Sequence, residues 1–183
     1  MNEVLKAIAE RYSCRAYTDV MPDDDTLQAI AKAGVAAPSG MNRQAWRIIV
    51  VKDTVLMREI DADGMSLFKA MPDQSIYERM MGRGGKMLYN APCMMVVVTE
   101  PDCSQMDIGI VAQNITLAAT SLGLGSIICG ILGSPLSGAR GEEFKKRLGF
   151  PDNYEFGIGI LMGYAEKDGA PHEPDLEKII VVE

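Results

Sequence analysis

Apolar positions along this chain recur with two alternating periods, which predicts helices interleaved with strands. Val4, Leu5, Ile8 and Ala9 fall at helical spacing and predict a first helix ending near Tyr12. Pro22 and Asp23 open a second, with Leu27, Ile30 and Ala31 on one face and Gly34 near its exit. Trp46 to Val51, Trp-Arg-Ile-Ile-Val-Val, is a largely apolar and β-branched run, which predicts a buried strand. Asp53 caps a third helix carrying Val55, Leu56 and Ile60. Between 61 and 90 the apolar residues lose regular spacing and are interrupted by Pro72, Gly82, Gly84 and Gly85. That stretch predicts one or two short helices and a mobile connection, a candidate lid.

Cys93 to Thr99 reads as a second buried strand, set off by Pro92 and Pro101. From 105 to 122 the chain carries its longest helical pattern, with Ile108, Val111, Ala112, Ile115, Ala119 and Leu122 on one wide face and Gly123 as the stop. Its many small residues suit a central helix, or one at a subunit interface. A strand-like run follows at 126 to 131, then a charged helix at 142 to 147 and a strand at 156 to 163. Residues 165 to 183 read as a polar arm whose apolar close, 179 to 182, is expected to add an edge strand. Helices alternating with about four buried strands imply one α/β or α+β domain over 1–183.

Composition narrows the function classes. A net charge of -7 excludes nucleic acid and anionic membrane as expected partners. No apolar run reaches the roughly 20 residues needed to span a bilayer, and a cytoplasmic location is expected. Cys14, Cys93, Cys103 and Cys129 form no close pair, and His172 is the only histidine, so neither a zinc site nor a histidine-based triad is expected.

Two short segments carry the candidate chemistry. Residues 11 to 15, Arg-Tyr-Ser-Cys-Arg, place two guanidiniums and a hydroxyl at the end of the first helix, a donor set suited to phosphate. The same arginines would serve equally as solvated cations at a helix C-terminus. Residues 37 to 46, Ala-Pro-Ser-Gly-Met-Asn-Arg-Gln-Ala-Trp, form a loop whose Ser39, Asn42 and Gln44 offer donors and acceptors for the edge of a heteroaromatic ring. Pro38 and Gly40 are also ordinary turn formers.

With Lys86-Met87-Leu88, Ala91-Pro92, Gln113-Asn114, Leu122-Gly123-Leu124-Gly125, Leu148-Gly149-Phe150-Pro151 and Met162-Gly163-Tyr164, these segments strongly resemble the FMN-dependent nitroreductase family over nearly the whole chain. The resemblance implies an α+β fold, a three-layer α/β/α sandwich with a central, mainly antiparallel sheet. It also implies a homodimer with FMN at the subunit interface. By that similarity Arg11 and Ser13 belong to the phosphate end, Tyr12 to the cofactor site, and Arg15 to the N1/O2 edge of the ring. Pro38, Ser39, Gly40, Asn42 and Gln44 would come from the partner subunit, and Lys86 would be a further flavin contact. Ile128, Cys129, Gly130 and Ile131 would lie beside the ring, offering a backbone N–H to N5.

The implied activity is ping-pong hydride transfer from NADH or NADPH through FMN to a nitroaromatic, quinone or similar small, flat aromatic acceptor. A specialised flavoenzyme (reductive dehalogenation or flavin fragmentation) and a non-catalytic flavin-binding module remain open beside it. Two departures stand out. Many relatives complete the phosphate site with a C-terminal Arg or Lys, where this chain has Pro171-His172-Glu173-Pro174 and only Lys167 and Lys178 nearby. Beside the ring, Cys129-Gly130 replaces the common Pro or Glu; for Cys129, packing is the expected role.

Overall fold

The computed structural model describes residues 2–183. Four strands, β1 (Trp46–Val51), β2 (Cys93–Thr99), β3 (Gly125–Cys129) and β4 (Glu155–Gly163), pair antiparallel in the order β1-β2-β4-β3. β2 is central, and all of its residues are buried. Side chains alternate across a strand, so Met94, Val96 and Val98 enter one core while Cys93, Met95 and Val97 enter the other. β4 divides likewise, Leu161 to the first and Ile160 and Met162 to the second.

Helices close both faces. α1 (Glu3–Glu10), α2 (Asp24–Val35), α3 (Thr54–Ala70), α4 (Ser75–Met81), α5 (Gln105–Ser121), α6 (Gly133–Leu136) and α7 (Gly141–Leu148) follow in chain order. α3, α4, α6 and α7 bring Ile60, Phe68, Met80, Leu136 and Phe144 to the first core. α2 and α5 bring Leu27, Ile30, Val111 and Ile115 to the second, and α1 packs on α5. The result is the three-layer α/β/α sandwich with an antiparallel sheet. Local chemistry sets the helix starts: Asp23 accepts from Thr26 N–H at 2.8 Å, Asp53 from Leu56 N–H at 2.9 Å and Ser104 from Met106 N–H at 3.2 Å. Gly123 and Gly149 adopt positive φ, 78° and 77°, after α5 and α7.

Several expectations are corrected. β1 is an edge strand rather than a buried one; only Trp46 and Val51 at its ends are buried, because no strand pairs with its outer side. The third helix runs to Ala70, since Leu56, Met57, Ile60, Gly64 and Phe68 keep one buried stripe. The connection after α4 is a tied turn rather than a mobile one: Gly85 N–H and Arg83 N–H both bond Met80 O at 2.9 Å, and Gly84 and Gly85 take the positive φ this turn requires. The third strand ends at Cys129, where Gly130 starts a 3-10 turn. Residues 179 to 182 form no strand on the chain's own sheet and are exposed. α1 buries only Ala7; Val4, Leu5 and Ile8, the residues that predicted it, face outward.

One close approach gives a stability test. A Cβ on Gly141 would overlap the Leu136 carbonyl group, with the carbonyl carbon at 2.8 Å. Backbone cannot swing aside as a side-chain tip can, so Gly141→Ala must push α7 away from α6. The expected loss is about 2 kcal/mol, or roughly 4–8 °C in Tm for a domain of this size. A thermal melt equal to that of the unsubstituted chain would show that the α6–α7 junction absorbs the methyl group.

Candidate functional site

The first candidate segment is extended and stitched into the sheet rim. Arg11 leaves α1 in an extended conformation. Ser13 bridges Ser126 in parallel, Cys14 N–H bonds Ser126 O at 3.0 Å, and Tyr17 bridges Ala165. Cys14 is buried and its carbonyl accepts from the Tyr17 hydroxyl at 2.9 Å. With Cys14 turned into the core, alternation sends Ser13 and Arg15 the other way. An extended run with i, i+2, i+4 spacing therefore puts Arg11, Ser13 and Arg15 along one edge.

The tail crosses this segment. Thr18 N–H bonds Tyr164 O at 2.9 Å and Glu166 N–H bonds Ala16 O at 3.0 Å. The Tyr12 hydroxyl donates to Lys167 O at 3.4 Å, and Gly169 lies on the Tyr12 ring where any Cβ would collide. Lys167 is thereby carried to the Arg11–Ser13 segment, while His172 lies exposed farther along the tail.

Arg15 lines a cavity of about 160 Å³ whose wall is Ile128, Cys129, Gly130 and Ile131 at the end of β3. Ile128 is the one exposed residue of that strand, at 44 %, and contributes apolar lining to the cavity. The guanidinium of Arg15 bonds only Ser13 O, at 3.2 Å, and among the described residues it makes no ion pair. The same cavity takes Arg79 and Met80 from α4, then Arg83 and Tyr89. The sequence reading passes over all four. Burial pushes the Cys129 thiol up to about 11, so it is a neutral packing group at physiological pH and no nucleophile.

Lys86 stands apart from that cavity wall and leans on Asp61, Nζ to Oδ2 3.7 Å. Asp61 is 4 % exposed, and its Oδ1 accepts from Leu88 N–H at 2.7 Å. Burial raises its pKa above the usual carboxylate range, offset in part by Leu88 N–H and Lys86. Its signal was in the sequence: Asp61 occupies the buried stripe of α3, four residues after Met57.

A raised folded-state pKa means that the ionised carboxylate opposes folding, and this cost grows as pH rises through that pKa. Asp61→Asn retains an acceptor for Leu88 N–H and removes the buried charge. The variant is expected to gain stability relative to the parent chain as pH rises from about 4 to 7.5, read by thermal melts at both values. A gap between the two proteins that shrinks on raising pH would contradict this account.

The 38–46 loop lies at the other edge of the sheet, where it feeds β1. Three strand spacings of about 4.8 Å separate β1 from β3, roughly 14 Å. Within one chain, then, Pro38, Ser39, Gly40, Asn42 and Gln44 do not meet Arg15. Gln44 N–H bonds Ser39 Oγ at 2.9 Å, Gln44 Nε2 bonds Asn42 Oδ1 at 2.9 Å, and Gly40 N–H faces Asp107 at 3.3 Å. Met41, Asn42 and Gln44 all hold positive φ, near 50°. Three such residues in one exposed loop are strained for non-glycine chemistry, a pattern that concentrates at ligand sites.

An antiparallel sheet between two helical layers, with an open cationic rim, defines an α+β sandwich protein. The sequence profile of the Nitroreductase family matches residues 8–164, and the chain belongs to that family. A nitroreductase with bound FMN from Desulfitobacterium hafniense DCB-2 is 55% identical, with a TM-score of 0.97 over 100% of both chains. A nitroreductase with bound FMN from Bacteroides fragilis NCTC 9343 is 32% identical, with a TM-score of 0.89 over 100% of both chains. An FMN reductase [NAD(P)H] of Bacillus subtilis (strain 168) is 29% identical over 94% of this chain and 72% of its own length. No helix among the described residues is long and apolar enough to cross a membrane.

Proposed function

We propose that this protein is an FMN-dependent oxidoreductase, carrying two electrons from NADH or NADPH to a flat aromatic acceptor such as a nitroaromatic or quinone. The observation that carries this reading is the pair of guanidiniums, Arg11 and Arg15, unpaired among the described residues on one extended segment, with Arg15 beside the exposed side chain of Ile128. Free cationic donors at one end and an apolar wall at the other fit a phosphorylated cofactor with a planar ring. Relatives with the same fold bind FMN or reduce it with NAD(P)H.

In this reading Arg11, Ser13 and Lys167 hold the phosphate, with Lys167 standing in for the basic residue that relatives carry nearer the C-terminus. Arg15 places positive charge at the ring edge, and Ile128 to Ile131 form the wall beside it. Bound FMN supplies the redox chemistry, accepting a hydride and passing two electrons on. For a nitro compound the balance is NAD(P)H, a proton and the nitro group giving NAD(P)+, the nitroso group and water. No protein acid is required in this scheme: Cys129 stays a thiol, His172 is remote in sequence and exposed, and water supplies the proton.

A second copy of this chain belongs to the functional unit. The ring-reading loop cannot reach Arg15 within one subunit, and apolar side chains stand uncovered on α1 and on the tail. The direct test is to incubate purified protein with FMN, remove free cofactor, and add NADH or NADPH without oxygen. Bound flavin that bleaches and then reoxidises with nitro compounds or quinones supports the reading. Protein that retains no flavin overturns it, and flavin that never bleaches leaves only a binding module.

A further inference from the structure

Three arginines line the cavity beside Ile128: Arg15 from the rim segment, Arg79 from α4 and Arg83 from the turn after it. Four of the other arginines are engaged, while Arg11 and Arg58 make no ion pair among the described residues. Arg43 pairs with Asp102 at 2.9 Å, Arg147 with Glu59 at 2.6 Å, Arg140 with Glu143 at 2.6 Å, and Arg47 lies over the Tyr154 ring. Among the described residues none of the three at this cavity has a carboxylate within ion-pair distance, although the chain carries 25 acidic residues against 18 basic ones. Like charges gathered without a counter-ion repel one another, and the arrangement is relieved when an anion enters.

The backbone that carries the two additional arginines is held firmly. They sit four residues apart and flank Met80, which is 2 % exposed and anchors α4 in the core. The Tyr89 hydroxyl meets the Met80 sulfur at 3.9 Å. Beyond α4 the chain closes a tight turn, with Arg83 N–H on Met80 O at 2.9 Å and Gly84 N–H on Met81 O at 3.3 Å. The backbone beneath both guanidiniums is therefore preorganised, which lowers the ordering cost of binding. The proposed function assigns Arg15 to the cofactor ring and gives Arg79 and Arg83 no role in holding FMN.

Resting on that functional reading, we infer that Arg79 and Arg83 form an anion-reading rim, so that the preferred acceptors are single aromatic rings carrying a carboxylate. A planar guanidinium matches a carboxylate in two parallel hydrogen bonds. The rim would orient such an acceptor with its carboxylate outward and its reducible group over the cavity floor. The phosphates of a nicotinamide dinucleotide share this anionic character, and the experiment separates the two sources.

The probes are 4-nitrobenzoate and its neutral, near-isosteric amide, 4-nitrobenzamide, presented to FMN-loaded protein. The ratio of their kcat/KM values is compared in the parent chain and in an Arg79→Gln/Arg83→Gln double variant, with FMN content measured for each. Both sites are exposed, so folding is not at stake. The expected result is a preference of about tenfold for the carboxylate that falls toward unity in the variant and in 0.5 M NaCl. Equal rates for the two probes in an active parent enzyme would overturn the anion rim while leaving the oxidoreductase reading intact. A variant that loses its NADPH-over-NADH ratio but keeps its nitrobenzoate preference would reassign the rim to the dinucleotide, also against the inference. Calorimetric binding of both probes covers a protein that does not turn over. Tighter, arginine-dependent binding of nitrobenzoate would then support the rim even as the enzymatic reading fails, and equal binding would refute it.

Discussion

Arg15→Ala is expected to slow reduction by NAD(P)H about 100-fold, the scale on which removing one preorganised electrostatic partner acts. Negative charge gathers at the ring edge as electrons arrive, and a cation fixed there stabilises the product of that step more than its starting state. The same two-electron bookkeeping converts 100-fold into about 60 mV, so the bound flavin of the variant should have a more negative midpoint potential by that amount. Arg15 is well placed for this because its guanidinium is held only by Ser13 O at 3.2 Å and no carboxylate among the described residues opposes it. Arg11→Ala provides the contrast. It lies two alternations back along the same extended segment, so its loss should weaken FMN retention and leave the potential of the remaining bound flavin near the parent value. Anaerobic stopped-flow reduction and a dye-coupled redox titration read the first effect; filtration of free FMN reads the second. If Arg15→Ala reduces at the parent rate with an unmoved potential, the guanidinium does not touch the ring edge.

Much of the fold was legible because single rules applied without competition. β2 is apolar at nearly every position and lies between Pro92 and Pro101, and α5 has a capping Ser104 and a stopping Gly123. The exceptions share a cause: they depend on which neighbour a segment finds. Full burial of β1 cannot be read from its apolar run, because its place at the sheet edge follows from the pairing order. The exposure of Val4, Leu5 and Ile8 likewise depends on what covers α1. At the site, the Ser13–Ser126 bridge brings Arg15 beside the turn at Cys129. Arg79 and Arg83 escaped notice because they lie in the stretch without a regular apolar period, where only the burial of Met80 shows which way α4 faces. Asp61 was hidden for the opposite reason, a carboxylate inside a regular apolar stripe.

Deletion of residues 171–183 is expected to raise the dimer dissociation constant about a thousandfold, and FMN should be lost with the dimer. Ile179, Ile180, Val181 and Val182 are 67 to 90 % exposed, and Leu176 is 72 % exposed. Burying each of the four contiguous aliphatic side chains contributes about 2 kcal/mol. Ordering each of those residues costs about 1.5 kcal/mol. The surplus is about 2 kcal/mol per tail, and two tails in a symmetric dimer give about 4 kcal/mol, a factor of about 10³. β1 offers a natural receiver, because its outer edge carries backbone groups without a strand partner. The tail's first half is tied to its own subunit through Glu166 and Lys167, so only the part beyond Gly169 is free to reach across. In the proposed dimer the coupling to FMN follows from geometry: the loop at Ser39 to Gln44 stands roughly 14 Å from Arg15 across its own sheet, so a copy of it would reach the proposed ring site from the second subunit. Sedimentation at micromolar concentration, with flavin absorbance followed in the same run, measures both effects. A truncated protein that sediments as a dimer with a full complement of FMN would detach the tail from assembly and place the contact at α1 alone.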